Sequence, residues 1–194
     1  MSARTGAVSR ATKETSIELR LDLDGGPVDV ATSVDFLDHM LEAFAVHAGC
    51  GLHLRAAGDG MDNHHVIEDV GIALGKAMHE ALGDKRGIAR FGSIMLPLDE
   101  ALVAASVDIS GRPFLNFRVA FDRENLGAMP TEMVGEFFRA VTDNAKITLH
   151  LIAMNGHVAH HLCEASFKGF ARAFGAAKAV TASADVPSTK GSIE

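Results

Sequence analysis

Basic charge is scarce in this chain. Of 194 residues, 18 are Lys or Arg against 25 Asp or Glu, a formal net charge of -7. Phosphate backbones attract cationic surfaces, so nucleic acid is a poor main partner. A small anion held by a few local cations remains compatible with this charge. Cysteine is also scarce. Cys50 and Cys163 are the only two, and they supply neither a disulfide framework nor a Cys-x-x-Cys zinc motif. No apolar run reaches the roughly 18 residues that a membrane-spanning helix needs. The opening MSARTGAVSRATKET lacks the apolar stretch of a secretory signal. No GxxxxGK[ST] segment marks a P-loop nucleotide site. These absences leave a cytoplasmic enzyme as the expectation, and a hydrophobic content of 47% is ample for a core.

Histidine, by contrast, is abundant, with 10 in the chain. His64-His65-Val66-Ile67-Glu68 returns about 96 positions later as His160-His161-Leu162-Cys163-Glu164. Each His-His-x-x-Glu run leads into an Ala-rich apolar segment. The surrounding halves also align: FLDHMLEAFAVHAGCGLHL (36–54) lies over MVGEFFRAVTDNAKITLHL (133–151) without a gap. His39 then falls on Glu136, and His53 on His150. The period is far longer than that of a solenoid repeat, so the pattern reads as a duplication and not an array.

Periodicity fills in the elements. Residues 15–23 alternate like a strand, DGGP (24–27) is a turn, and 28–34 is expected to return as the second strand of a hairpin. Helical spacing follows from Phe36 to about His47, with Gly49 just beyond. A strand is expected over 52–55, then a helix over 65–82 capped by Asp62 or Asn63 and ended by Gly83. The second half repeats this plan: strands over 101–109 and 114–121, a helix over 132–145 capped by Thr131, a strand over 147–152 and a helix over about 160–177. Residues after 178 are expected to form a loose tail. The domain plan is 1–92, 93–180 and a tail over 181–194, with four helices packed together and a sheet on each side.

Positions i and i+4 share a helix face, so His64 with Glu68, or His160 with Glu164, can bind one metal ion. His65 and His161 are rotated by about 100° and point toward a second. Imidazole and carboxylate without thiolate suit Mn, Fe or Zn. His39 and its mate Glu136 are further ligand candidates. His53 and His150, in strands, suit structural hydrogen bonds. Arg90, Arg112, Lys168 and Lys190 (in Ser188-Thr189-Lys190) can make charge-assisted bonds to phosphate.

Several motifs in order carry a resemblance: RATKET (10–15), DFLDHML (35–41), DNHHVIEDVGIALG (62–75), RFG (90–92), LDEAL (98–102), SGRP (110–113), HHLCEASFKGFARA (160–173) and PSTKG (187–191). With these the chain resembles imidazoleglycerol-phosphate dehydratase, of histidine biosynthesis, over nearly its whole length. The resemblance implies an α+β fold with duplicated halves like the second domain of ribosomal protein S5. A four-helix layer would lie between two four-stranded sheets. It implies a lyase with two Mn2+ ions per subunit, assembled as a hollow 24-mer. One ion would take His64, Glu68, His160 and residue 136, and the other His39, His65, His161 and Glu164. Substrate contacts would fall to Glu14, His39, His47, Arg90, Arg112, Lys168, Ser188, Thr189 and Lys190. Catalytic roles would fall to Glu14 or Glu164 as base and to His47 at the departing hydroxyl.

The chain departs from the family at position 136, where Glu replaces the usual His. It also departs at Val66 and Val158, in place of Thr and Asn, and in a loop before His64 that is one residue shorter. Competing readings are a divergent relative acting as a metal-dependent hydrolase or on another phosphorylated substrate, and an assembly protein whose ions only join subunits.

Overall fold

A computed structural model describes residues 3–61 and 63–193. Its first sheet contains β1 (Thr5–Ala11), β2 (Thr15–Asp22), β3 (Val28–Ala31) and β4 (Gly51–Gly58), in the order β1-β2-β4-β3. Helices α1 (Asp35–Ala48) and α2 (His64–Leu82) cover it. The second sheet contains β5 (Phe91–Leu98), β6 (Ala101–Asp108), β7 (Phe114–Arg118) and β10 (Thr148–Asn155), in the order β5-β6-β10-β7. It is covered by α3 (Glu132–Ala145) and α4 (Ala159–Ala177). A short ribbon, β8 (Asn125–Leu126) with β9 (Met129–Pro130), precedes α3. The sheets share one strand order and one set of directions. In each, the first three strands in spatial order pair antiparallel and the last pairs parallel.

The helices lie between the sheets, α2 packed on α3 and α1 on α4. Their inner faces are apolar at helical spacing, and Phe44, Phe137, Phe138, Phe167, Phe170 and Phe174 are almost fully buried. The Phe138 and Phe167 ring centroids are 4.7 Å apart. Truncating one such ring to Ala costs about 3–5 kcal/mol. The sheets sit close on the helices because two glycines allow it. A Cβ on Gly6 would lie 2.1 Å from the Ala77 carbonyl oxygen, and one on Gly92 would lie 2.0 Å from that of Ala173. Both glycines are second in the first strand of their sheet.

Several expectations need correction. The hairpin over 15–34 does not form: β4 takes the edge of β2, and β3 pairs parallel with β4 across α1. β1 and β5 were not expected. β7 ends at Arg118 and not at Phe121. β5 begins at Phe91, two residues ahead of the expected division of the halves. The expected caps do not form either. The Asn63 amide donates to the Ala128 carbonyl at 2.7 Å, and the Thr131 hydroxyl donates to the Arg123 carbonyl at 2.8 Å. Asp62, the other cap candidate, lies outside the described residues. The tail is irregular but bonded: Thr181 N–H donates to the Gly87 carbonyl at 2.7 Å, and Gly87 N–H to that of Asp185 at 3.0 Å. His53 and His150 face the neighbouring strand as expected, with Asp29 at 3.2 Å and Asn116 at 3.1 Å.

Candidate active site

The ligand candidates gather at the amino-terminal ends of parallel helix pairs. Along α1 and α4, Phe36 and His39 stand beside His160, Phe44 stacks on Phe170, and Ala48 meets Gly175. That common direction brings His39, His160 and Glu164 together, with one ligand atom from each within 4.8 Å of the others. His160 Nε2 lies 3.1 Å from Glu164 Oε2, and Lys168 Nζ lies 2.5 Å from Glu164 Oε1. Residues 160, 164 and 168 stack at i, i+4 and i+8 along one face. Burial works to raise the Glu164 carboxyl. The Lys168 ammonium, aided by His39 and His160, overrides burial and holds the group below the ordinary carboxylate value. An ionised carboxylate so held makes a good ligand and a weak base. Within the chain, this grouping differs from the division that the resemblance implies, which gives His160 to one ion and His39 and Glu164 to the other.

Along α2 and α3, Gly71 meets Phe137 and Ala140, and Gly75 meets Val141 and Asn144, so this pair is also parallel. His64, Glu68 and Glu136 therefore stand at one end of it. His64 Nε2 lies 3.6 Å from Glu68 Oε2, both side chains half-exposed. Glu136 is exposed and accepts from Arg139 Nε at 3.2 Å. His65 Nδ1 is buried and has no hydrogen-bond partner among the described residues; Asp59 Oδ2 is 3.4 Å away.

His161 Nδ1 bonds Glu100 Oε2 at 2.7 Å. Glu100 also accepts the Val158 N–H at 2.9 Å and so caps α4. The His161 bond and then the Val158 N–H bring the Glu100 carboxyl down to about 2, and Glu100 raises the His161 imidazole in return. Glu100 was absent from the expected site. It stands just before β6 as Glu14 stands just before β2, a correspondence that the shared strand order of the two sheets brings out. Glu14 is exposed beside the first turn of α2, near Gly58 and Val66. His47, in the last turn of α1, faces α4. Partial burial, then Lys168 and Arg172, lowers its imidazole below the ordinary histidine value.

The remaining cations gather elsewhere. Arg90, Ser110, Arg112, Ser188, Thr189 and Lys190 line a cavity of about 420 Å³. Arg90 is committed within it. Its Nε donates to Asp108 at 2.8 Å and its Nη1 to the Pro187 carbonyl at 2.8 Å. Arg112 and Lys190 make no ion pair among the described residues. Lys168 is not part of this pocket. Arg90 N–H bonds the carbonyl of Ala177, 13 residues beyond Glu164 on α4. At about 1.5 Å per residue, the Arg90 backbone at the edge of this pocket therefore lies about 20 Å along α4 from Glu164 within one chain. A larger cleft of about 640 Å³, between the end of α2 and residues 180–184, contains none of the candidate residues.

Known proteins resemble this chain over most of its length. The family described as imidazoleglycerol-phosphate dehydratase matches residues 32–174. The enzyme of that name from Acidiphilium cryptum is 54% identical over 97% of this chain and 98% of its own. The one from Methylorubrum populi is 53% identical over 98% and 100%. A crystal structure of the Staphylococcus aureus enzyme superposes with a TM-score of 0.84 at 40% identity, covering 91% of this chain and 99% of that one.

Proposed function

The chain belongs to the imidazoleglycerol-phosphate dehydratase family, and from that premise we propose how its residues build the site. It is a hydro-lyase of histidine biosynthesis, converting D-erythro-imidazoleglycerol phosphate to imidazole acetol-phosphate. We propose that two Mn2+ ions per subunit are held by His39, His64, His65, Glu68, Glu136, His160, His161 and Glu164. The observation that carries this is the preassembled His39–His160–Glu164 group, with a carboxylate kept ionised and no thiolate among the donors. His65 Nδ1, buried and without a hydrogen bond among the described residues though Asp59 is 3.4 Å away, adds support. Bound there, the metal would act as a Lewis acid on the substrate's imidazole, the only electron sink beside a C–H that no carbonyl acidifies.

Around that centre the chain's own groups divide the work. Glu14, exposed and uncommitted to an ion pair among the described residues, is the candidate base. Glu164 is too firmly held by Lys168 to serve well. His47, favoured in its neutral form, would give or take a proton at the departing hydroxyl. Arg112, Lys190, Ser188 and Thr189 would bind the phosphate, with Arg90 shaping that pocket.

The proposal extends to assembly. A three-carbon chain between ring and phosphate cannot bridge about 20 Å. The separation therefore supports a site completed between copies, the metal group of one facing the anion pocket of another. The outer face of the second sheet supports the same reading. It exposes Phe91, Met95, Phe114 and Met154, whereas the outer face of the first carries Glu18, Arg20, Asp29, His53 and Arg55. Apolar patches of this kind mark contact surfaces. We take the assembly to be the closed 24-mer, the halves to descend from one S5-like unit, and the setting to be cytoplasmic. No helix is long and apolar enough to cross a membrane among the described residues.

Turnover by metal-stripped protein with Mn2+ added back tests the reading. Mn-dependent imidazole acetol-phosphate without phosphate release is expected. Release of inorganic phosphate would move the protein to the hydrolases. Full turnover without metal would remove the ions from the scheme.

A further inference from the structure

We infer that Lys85 is a positioning residue for the anion pocket: its buried ammonium clamps the carboxyl-terminal segment so that Ser188, Thr189 and Lys190 face Arg90 and Arg112. The inference rests on the phosphate reading of that pocket.

Lys85 belongs to the loop between α2 and β5, yet it is only 5% exposed. A buried ammonium is costly unless it is bonded. Its Nζ donates to the Ile193 carbonyl at 3.2 Å, 108 residues away in sequence. The loop is shaped for this contact. Lys85, Gly87 and Arg90 all have positive φ, at 61°, 66° and 73°. For the two non-glycine residues such backbone is strained, and it persists only where surrounding contacts hold it. Those contacts lead to the tail. Gly87 exchanges bonds with Asp185 and Thr181, and Arg90 Nη1 donates to the Pro187 carbonyl.

The two cationic clamps therefore bracket the functional segment, Arg90 at Pro187 and Lys85 at Ile193. Between them the chain folds into a turn: Gly191 N–H donates to the Ser188 carbonyl at 3.0 Å, and Lys190 N–H to Ser188 Oγ at 3.2 Å. Lys85 itself is not a wall of the cavity, so it acts on an anion only through the segment it holds. Without it, ordering one end of that segment is deferred to the moment of binding, which weakens affinity while the metal-bound end of the substrate, and the chemistry there, is unaffected.

The experiment compares Lys85→Met, Lys85→Arg and Arg112→Ala in the whole enzyme. Steady-state kinetics, inhibition by inorganic phosphate and amide exchange over 188–193 are the readouts. For Lys85→Met, KM and the phosphate inhibition constant should each rise about tenfold, the loss of one charged hydrogen bond. Its kcat should stay within about twofold. Amides of 188–193 should exchange faster while those of α2 and β5 do not change, and Lys85→Arg should recover most of the loss. If Lys85→Met does not accumulate, Lys85→Leu, which likewise has no donor, carries the same comparison. An unchanged KM in the Lys85 variants with a raised KM in Arg112→Ala would overturn the role of Lys85 and leave the pocket standing. No effect on KM from Arg112→Ala would instead remove the phosphate reading on which the inference rests.

Discussion

Glu164 and Glu68 hold the same place in two helices that each begin with paired histidines, yet Glu164 is 13% exposed and Glu68 49%. Their surroundings account for the difference. One turn beyond Glu164 stands Lys168, whose ammonium neutralises it; one turn beyond Glu68 stands Ile72, which cannot. His39 completes the group around Glu164. Its counterpart, Glu136, carries the same charge as Glu68 and turns to Arg139 instead. Phe36 packs edge-on against His160 at a centroid distance of 5.2 Å, where the other pair has Met133. An identical local motif thus gives a preformed group only where neighbours supply counter-charge and packing. The framework beneath shows the reverse asymmetry. In the first half Asp69 is buried, accepting from Arg10 at 2.6 Å and Thr15 at 2.5 Å. The corresponding positions in the second half are Leu96, Ala165 and Ala101, all apolar.

The largest effect should come from removing both metal groups at once. Chelation should lower turnover by about 10³-fold or more, since a Lewis acid supplies several kcal/mol, with Mn2+ restoring both activity and two ions per chain by elemental analysis. The contrast between the two groups is sharpened by single variants. Glu164→Gln should weaken Mn2+ binding about 100-fold and Glu68→Gln about tenfold, as read by calorimetric titration. Equal losses would mean that preassembly within the chain is immaterial. Asp69→Ala should destabilise the protein by about 2 kcal/mol in urea titrations, a value reduced because Arg10 is nearly one-third exposed. Turnover per folded chain should not change. A loss below about 0.5 kcal/mol would make the polar network equivalent to the apolar packing of the other half. The smallest effect is expected from Glu136→His, which makes the two groups alike. It should tighten Mn2+ binding less than tenfold, and weakened binding would show that the carboxylate is the better ligand in this setting.

Helical periodicity placed all four helices within a residue or two, because each buries one continuous stripe. β1 and β5 stayed hidden for opposite reasons. TGAVSRA offers too few apolar residues for alternation, while FGSIMLPL is apolar on both faces, its outer side bearing Phe91 and Met95. DGGP reads as a hairpin turn locally, and only the tertiary competition of β4 for the edge of β2 overrides it. The paired histidines and Glu68 and Glu164 were legible at helical spacing. The closure of His39 onto His160 was not, since it depends on the parallel packing of α1 and α4. Glu100 lies in the LDEAL motif, but its match to Glu14 emerges only from the shared strand order of the two sheets. The hold on the tail was invisible, because it runs through backbone carbonyls that carry no sequence signal.

Cys50 and Cys163, one in each half, are both buried. Burial raises the Cys50 thiol to about 11 and pushes that of Cys163 higher still. Although it precedes Glu164 in sequence, Cys163 points into the core. Neither thiol should react with iodoacetamide at neutral pH while its half stays closed. Alkylation followed by mass spectrometry would therefore time the opening of each half separately, with equal rates for one cooperative unit and unequal rates for a half that opens first.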